Sequence, residues 1–195
     1  MKVLINGKEF SIEQNATAPL HTILEKLGDL IDGKSVVTSV SISGKALEGN
    51  WFNSTDKIYV MPDDLLELTT ESAVALGLRV FQNTKEDFLM ILKELGNCAE
   101  MFRVENEADA NATFARSITN LRTFFDILQQ SHHLQGIKVE ELTIEDVSAE
   151  IFMSDFGKKL SDLIDIQQNK DWIMLADVIE YEMLPMLKKV ETLFN

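Results

Sequence analysis

The sequence predicts an α+β fold in two unlike parts, and three observations carry that prediction. Up to Pro62, apolar residues come in short alternating runs broken by turn dipeptides, the period of strands with one buried face. Beyond Pro62 the apolar period lengthens to helical spacing and stays there. Among the 195 residues Pro (3) and Gly (9) are scarce while Phe (11) and Met (8) are plentiful, a supply of core fillers with few breakers that favours long helices. The expected organisation is a small sheet-and-helix module over residues 1–62, then an acidic antiparallel bundle of about four helices over residues 63–195.

In the first part, Lys2-Val3-Leu4-Ile5 and Lys8-Glu9-Phe10-Ser11-Ile12 flank Asn6-Gly7. Both turn residues tolerate the positive φ of a type I′ turn, so this reads as a hairpin. Leu20, Ile23, Leu24, Leu27 and Ile31 fall at helical spacing, giving one helix from about Pro19 to Asp32 with the proline in its first turn. Val36, Thr38, Val40 and Ile42 alternate with Val37, Ser39 and Ser41 as a strand, and Ser43-Gly44 turns the chain. After Trp51 and Phe52, a last strand reads Lys57-Ile58-Tyr59-Val60-Met61.

In the second part, Val74, Leu78, Phe81, Lys85, Phe88, Leu92, Leu95, Ala99 and Phe102 step by fours and threes, a heptad seam interrupted only by Lys85. A second stripe runs Phe114, Ile118, Leu121, Phe125 and Leu128, with Gly136 as a stop. Thr143 to Asp146 resembles a capping box for a third helix carrying Phe152, Phe156, Leu160 and Leu163. Asp171 caps a fourth, with Trp172, Ala176, Ile179, Met183, Met186 and Val190, which Pro185 should kink or open. Leu65, Leu66 and Leu68 make the join after Pro62-Asp63-Asp64 too apolar for a free linker.

Hairpin, helix, strand, short strand and final strand is the order of the β-grasp, or ubiquitin-like, fold. Residues 1–62 resemble in particular the small sulfur-carrier proteins of thiamine and molybdopterin synthesis, through Lys2-Val3-Leu4-Ile5-Asn6-Gly7, the helix around Leu24 and Leu27, and Asp56-Lys57-Ile58-Tyr59-Val60. The carriers' chemistry needs a free C-terminal Gly-Gly. Here Val60 runs on into Met61-Pro62-Asp63-Asp64 and no Gly-Gly occurs, so the resemblance implies a scaffold without that activity. Residues 171–185 look like a segment of uncharacterised bacterial helical proteins, which implies a bacterial origin.

Charge excludes several functions. The chain carries 18 basic against 32 acidic residues, a formal −14, with no basic cluster. Phosphate-tracking proteins draw affinity from Lys and Arg, so neither nucleic acid nor an anionic membrane surface is expected as a partner. Residues 1–62 hold 6 basic and 7 acidic residues and residues 63–195 hold 12 and 25, which assigns nearly all the charge to the helical part. No apolar run approaches the roughly 18 residues of a membrane span, and the start MKVLINGKEF does not read as a signal peptide. A single cysteine, Cys98, fits a reducing compartment, and a cytoplasmic protein is expected.

Few residues suggest chemistry. Asp177, Glu180 and Tyr181 share a helix face and, with His132, form the one candidate ligand site, for a cation or for acid/base work between the two parts; the plainer reading is a solvated acidic face. His132 continues the Phe125–Leu128 stripe, so it reads as a packed or helix-capping histidine, and adjacent His133 points about 100° away. Cys98 lies beside the seam as a small hydrophobe with no basic residue nearby to lower its pKa. Lys85 in the seam snorkels, sits at a wet place or pairs with a buried acid. No catalytic residue, metal or cofactor is expected. The expected function is that of a non-enzymatic adaptor working through protein–protein contacts, with a protein partner or a second copy. In a narrower form it shields an amphipathic helix of an export or motility subunit. The expected contact residues are Trp172, Tyr181, Met183 and Met186, together with the outer sheet face. The competing class is a small-ligand binder or enzyme.

Overall fold

A computed structural model describes residues 1–104 and 107–194 and divides the chain into two compact units, Met1–Leu76 and Gly77–Asn195. The chain is α+β: a mixed five-stranded sheet comes first and a helical region follows.

In the first unit, β1 (Lys2–Ile5) and β2 (Lys8–Ser11) form the hairpin, and Asn6 and Gly7 take φ of 50° and 78° as a type I′ turn requires. A short β3 (Ala18–Pro19) leads into α1 (Leu20–Leu27), which ends in a 3₁₀ turn over Gly28–Leu30. Pro19 stands just outside the helix as its N-cap. β4 (Ser35–Ile42) turns through Ser43 and Gly44, φ 49° and 79°, into β5 (Lys45–Ala46). Alternation along β4 is broken between Val37 and Ser39 by a bulge, so Val37 faces the core before it and Val40 and Ile42 after it. β6 (Tyr59–Val60) is only a short strand paired with β3, outside the main sheet.

The strand that completes the main sheet lies beyond the expected boundary. β7 (Leu65–Ser72) runs parallel to β1 and antiparallel to β4, giving the order β2-β1-β7-β4-β5. Pro62 is not an end but a turn. The Asp64 amide donates to the Met61 carbonyl at 3.1 Å with proline in the second position, where its fixed φ suits a β-turn. The Asp64 carboxylate then accepts from the Met61 amide (2.8 Å) and the Ser43 hydroxyl (2.7 Å), fastening the entry of β7 to the β4–β5 turn. These hydrogen bonds hold its carboxyl below the usual range, the Met61 amide contributing most. Val3, Ile5, Val40, Leu66 and Leu68 pack with Leu20, Ile23 and Leu27 of α1 as the core of this unit. Because β7 and its entry add Asp63, Asp64, Glu67 and Glu71, residues 1–76 carry 6 basic and 11 acidic residues, net −5, and residues 77–195 carry −9. Acidity is shared between the units rather than confined to the helices.

The second unit contains most of α2 (Ala73–Arg103) and then α3 (Glu107–Leu134), which run antiparallel. Phe88 stacks on Phe124 with centroids 4.5 Å apart, the Ser117 hydroxyl donates to Glu94, and the Cys98 thiol donates to the Ala110 carbonyl. A Cβ on Gly77 would stand 2.6 Å from the Ser131 carbonyl oxygen, so glycine is what permits this approach. The expected seam is buried from Phe88 onward but not before it: Val74, Leu78 and Lys85 are exposed, and Gly77 and Thr84 are buried instead. A strict seven-residue repeat drifts about 20° per heptad around a straight helix, and the buried face rotates off it. Lys85 therefore needs no partner.

The residues expected as a capping box form a hairpin instead. β8 (Thr143–Ile144) and β9 (Val147–Ser148) turn through Glu145 at φ 53°, and Ser148 caps α4 (Ala149–Gln168) by accepting from the Ile151 amide at 3.3 Å. The chain closes with α5 (Trp172–Val178), a π-helical turn over Ile179–Met183, α6 (Leu184–Lys188) and a 3₁₀ turn over Lys189–Phe194. Phe88, Leu95, Phe102, Leu121, Leu163, Leu175, Ile179, Met183 and Val190 lie in one continuous core. Among the described residues, no helix is long and apolar enough to cross a membrane.

Candidate functional site on the C-terminal helix

The C-terminal segment is built around its proline. Asp171 accepts from the Met174 amide at 3.0 Å and starts α5. Pro185 has no N–H to give the ladder, and its ring would meet the carbonyl of Tyr181 in a regular α-helix. The π turn over Ile179–Met183 widens the helix ahead of it, so the proline opens the helix rather than ending it.

Glu180 lies in this turn and Asp177 just before it at the end of α5, and Arg103 from the last turn of α2 meets both. Its Nη2 lies 2.8 Å from Asp177 Oδ1, its Nη1 pairs with Glu180 Oε2, and its guanidinium carbon stands 5.9 Å from the Tyr181 ring centroid. Glu180 Oε2 is itself buried, and the ion pair with Arg103 is its compensation. Asp177, and after it Glu180, raise the Arg103 pKa further above its already high value, so the guanidinium stays charged. Glu182 points the other way, to Lys159, which lies 3.8 Å from Asp162, and the Lys159 pKa is raised chiefly by Glu182.

Three of the four candidate ligand residues therefore converge, but on a cation of the chain itself. Each of these carboxylates has one oxygen engaged by the guanidinium, so the arrangement reads first as an ion-pair cluster that ties the C-terminal helix to α2. Among the described residues no group of three or more His, Cys, Asp or Glu could hold a metal ion. His132, the fourth, is not with them. Its Nδ1 donates to the Leu128 carbonyl at 2.8 Å and its ring lies 5.1 Å from that of Phe81, buried in the core. Phe81 and Arg103 are 22 residues apart on α2, about 33 Å along the helix axis. Cys98 is fully buried, and burial pushes its thiol up to about 12. It is unreactive.

The expected contact residues also separate. Tyr181 is 67% exposed. Trp172 is half-buried, its ring stacked 5.4 Å from that of Phe102. Met186 is half-buried, beside Val147 and Pro185 in a shallow groove of about 310 Å³. Met183 is fully buried and is a core residue, not a contact residue, on the same stripe as Ala176, Ile179 and Val190. Ile173 (56% exposed) and Met174 (51%) take the outward positions instead. Reading this helix alone missed Arg103 and Lys159. The available signal for Arg103 was its place one residue past Phe102, in the last turn of α2, where a cation is favoured.

A family model described as a domain of unknown function (DUF8042) matches residues 79–193. The chain belongs to this family. The DUF8042 segment covers more than half of the chain and falls within the second unit, so the Arg103 cluster, the π turn and the grooves between helices are all features of the DUF8042 segment. No curated protein and no solved structure matches the chain.

Proposed function

We propose that the protein is a non-enzymatic adaptor of bacterial type, acting through protein–protein contacts, with a ubiquitin-like β-grasp module joined to a DUF8042 helical domain that receives an amphipathic helix of a client. One observation carries this reading. Ile173, Met174 and Tyr181 are each more than half exposed, on a segment where Asp177 and Glu180 pair with Arg103 and Glu182 pairs with Lys159. A helix surface that exposes large apolar groups while its polar groups are occupied is suited to docking another apolar helix. Exposed methionine adapts to varied partners.

The β-grasp reading is supported by the sheet order, with parallel β1 and β7 at the centre and α1 packed on one face. β7 continues into α2 without a Gly-Gly tail, which supports a binding role over sulfur transfer. The outer sheet face, with Ser41 bonded to Glu67 and Lys2 paired with Glu9, is polar and suits a weaker, hydrophilic contact.

Photo-crosslinking from positions 174 and 181 in the full chain, with position 85 as a control, tests the proposal in cells of the source organism. The expected result is one protein captured from both positions, absent at 85, and lost when Ile173→Ser is added. Identical capture patterns from all three positions would overturn it.

A further inference from the structure

Asn6 is the only asparagine in the chain followed by glycine, and that pair has a chemistry of its own. The side-chain carbonyl carbon of Asn6 lies within five-membered-ring reach of the Gly7 backbone nitrogen, and glycine has no Cβ to shield that nitrogen. A Cβ built on Gly7 would meet nothing within 4 Å, and both residues are exposed, so water has access to the turn. The Gly7 nitrogen, giving its proton to solvent, can attack Asn6 Cγ. The Cγ–Nδ2 bond then breaks, and Nδ2 takes up a proton and leaves as ammonia. Water opens the resulting cyclic imide at either carbonyl. Opening at Cγ gives aspartate, and opening at the backbone carbon gives isoaspartate, whose main chain runs through Cβ and Cγ. Overall one water is consumed and one ammonia is released, with no change of oxidation state.

The fold opposes this reaction at one place. Asn6 Oδ1 accepts from the Thr70 amide at 2.8 Å, and Asn6 Nδ2 donates to Thr70 Oγ1 at 2.8 Å. The Asn6 amide donates to the Leu68 carbonyl at 2.9 Å. Both ends of the carboxamide are therefore held against β7, at a residue 64 positions along the chain. Closing the ring needs Cγ over the Gly7 nitrogen, which takes the carboxamide off both partners. It becomes free when β7 releases the hairpin in a local opening of the sheet. Isoaspartate also puts one extra backbone carbon into a two-residue turn whose length fixes the pairing of Ile5 with Lys8. A turn lengthened in this way does not close in the same register.

We propose that Asn6 is a site of spontaneous deamidation and isomerisation that Thr70 keeps unreacted while β7 is in place, and that reaction there makes a transient release of β7 permanent. It stands apart from the client-binding reading, which uses the C-terminal helix.

The test follows residue 6 of the full chain during long incubation in mildly alkaline buffer, by peptide mapping that separates asparagine, aspartate and isoaspartate. Folded wild type is expected to react at least about tenfold more slowly than the same chain in concentrated urea. Thr70→Val removes the Oγ1 acceptor while keeping the amide and a β-branched strand former. When folded it is expected to react about fivefold faster than wild type, the factor of one hydrogen bond of roughly 1 kcal/mol. In urea the two chains are expected to react alike. Hydrogen exchange at Leu66 and Leu68 is expected to match between them, which separates loss of the clamp from loosening of β7. The isoaspartate fraction, isolated by its added negative charge, is expected to lose protection of the Ile12 amide, which donates to the Met1 carbonyl at 3.1 Å. Equal rates in folded and unfolded wild type would overturn the proposal. So would a folded T70V no faster than wild type, a T70V faster only in step with faster exchange of β7, or an isoaspartate fraction with wild-type protection at Ile12.

Discussion

The two units reach their shapes by different means. In the first, single residues in special backbone conformations set the geometry: Asn6-Gly7 and Ser43-Gly44 fix two hairpins, and Pro62 with Asp64 turns the chain into β7. In the second, positive-φ residues at Gly136, Glu145 and Lys170 shape the links and Pro185 the last helix, but no one residue sets how the helices pack. A large shared core and the glycine-permitted contact of α2 with α3 do so, and ion pairs such as Arg103 with Asp177 and Glu180 fasten the ends. Turn chemistry is local and fails at points. Packing is collective and fails by volume.

Volume changes in the helical unit should therefore have the largest effects. Phe88→Ala removes a fully buried ring stacked on Phe124 and should destabilise the second unit by about 3–5 kcal/mol in urea titration. Next comes Gly77→Ala, whose Cβ would stand 2.6 Å from the Ser131 backbone oxygen, for about 1–3 kcal/mol. This loss runs against helix propensity, which favours alanine, so a stabilised G77A would refute the close approach. Arg103→Met should cost about 1–2 kcal/mol by stranding the buried Glu180 oxygen, read as a lower thermal midpoint partly recovered by adding Glu180→Gln.

The sheet unit should respond more weakly and with a pH signature. Asp64→Ala removes two hydrogen bonds and should cost about 1 kcal/mol at pH 7. The folded Asp64 pKa is depressed below its unfolded value, so its stabilisation is present above about pH 4 and is lost as pH falls through the folded value. The stability gap between D64A and wild type should narrow as pH falls below about 4; a gap that stays constant on acidification would place the effect elsewhere. The smallest expected effect is none at all: Cys98, at 0% exposure, should not react with a thiol reagent near pH 8 until the chain unfolds.

Much of the architecture was legible because it rests on local rules. The Asn6-Gly7 hairpin, α1, β4 and the Asp171 cap each follow from residues within a few positions of one another. What was not legible rests on partners far along the chain. Leu65, Leu66 and Leu68 look equally like the start of a helix, and only pairing with Lys2–Ile5, more than sixty residues earlier, makes them a strand. The capping-box pattern at Thr143–Asp146 yielded to a hairpin because Ser148, closer to the helix, supplied the cap. Asp177, Glu180 and Tyr181 were correctly placed on one face, but their meaning depends on Arg103, 74 residues before Asp177. Met183 lies on the stripe with Ala176, Ile179 and Val190 that helical spacing already gives and that is buried, so offering it as a contact residue went against that spacing.

The two-unit organisation turns on β7, which lies past the apparent boundary at Pro62 yet sits at the centre of the first sheet. Native-state hydrogen exchange on the full chain tests this most directly. The amides of β7 from Leu66 to Leu68 should be among the slowest of residues 1–76, with protection comparable to that of β1. Exchange there as fast as in the Gly33–Lys34 loop would contradict the placement of β7 and, with it, the division of the chain between Leu76 and Gly77.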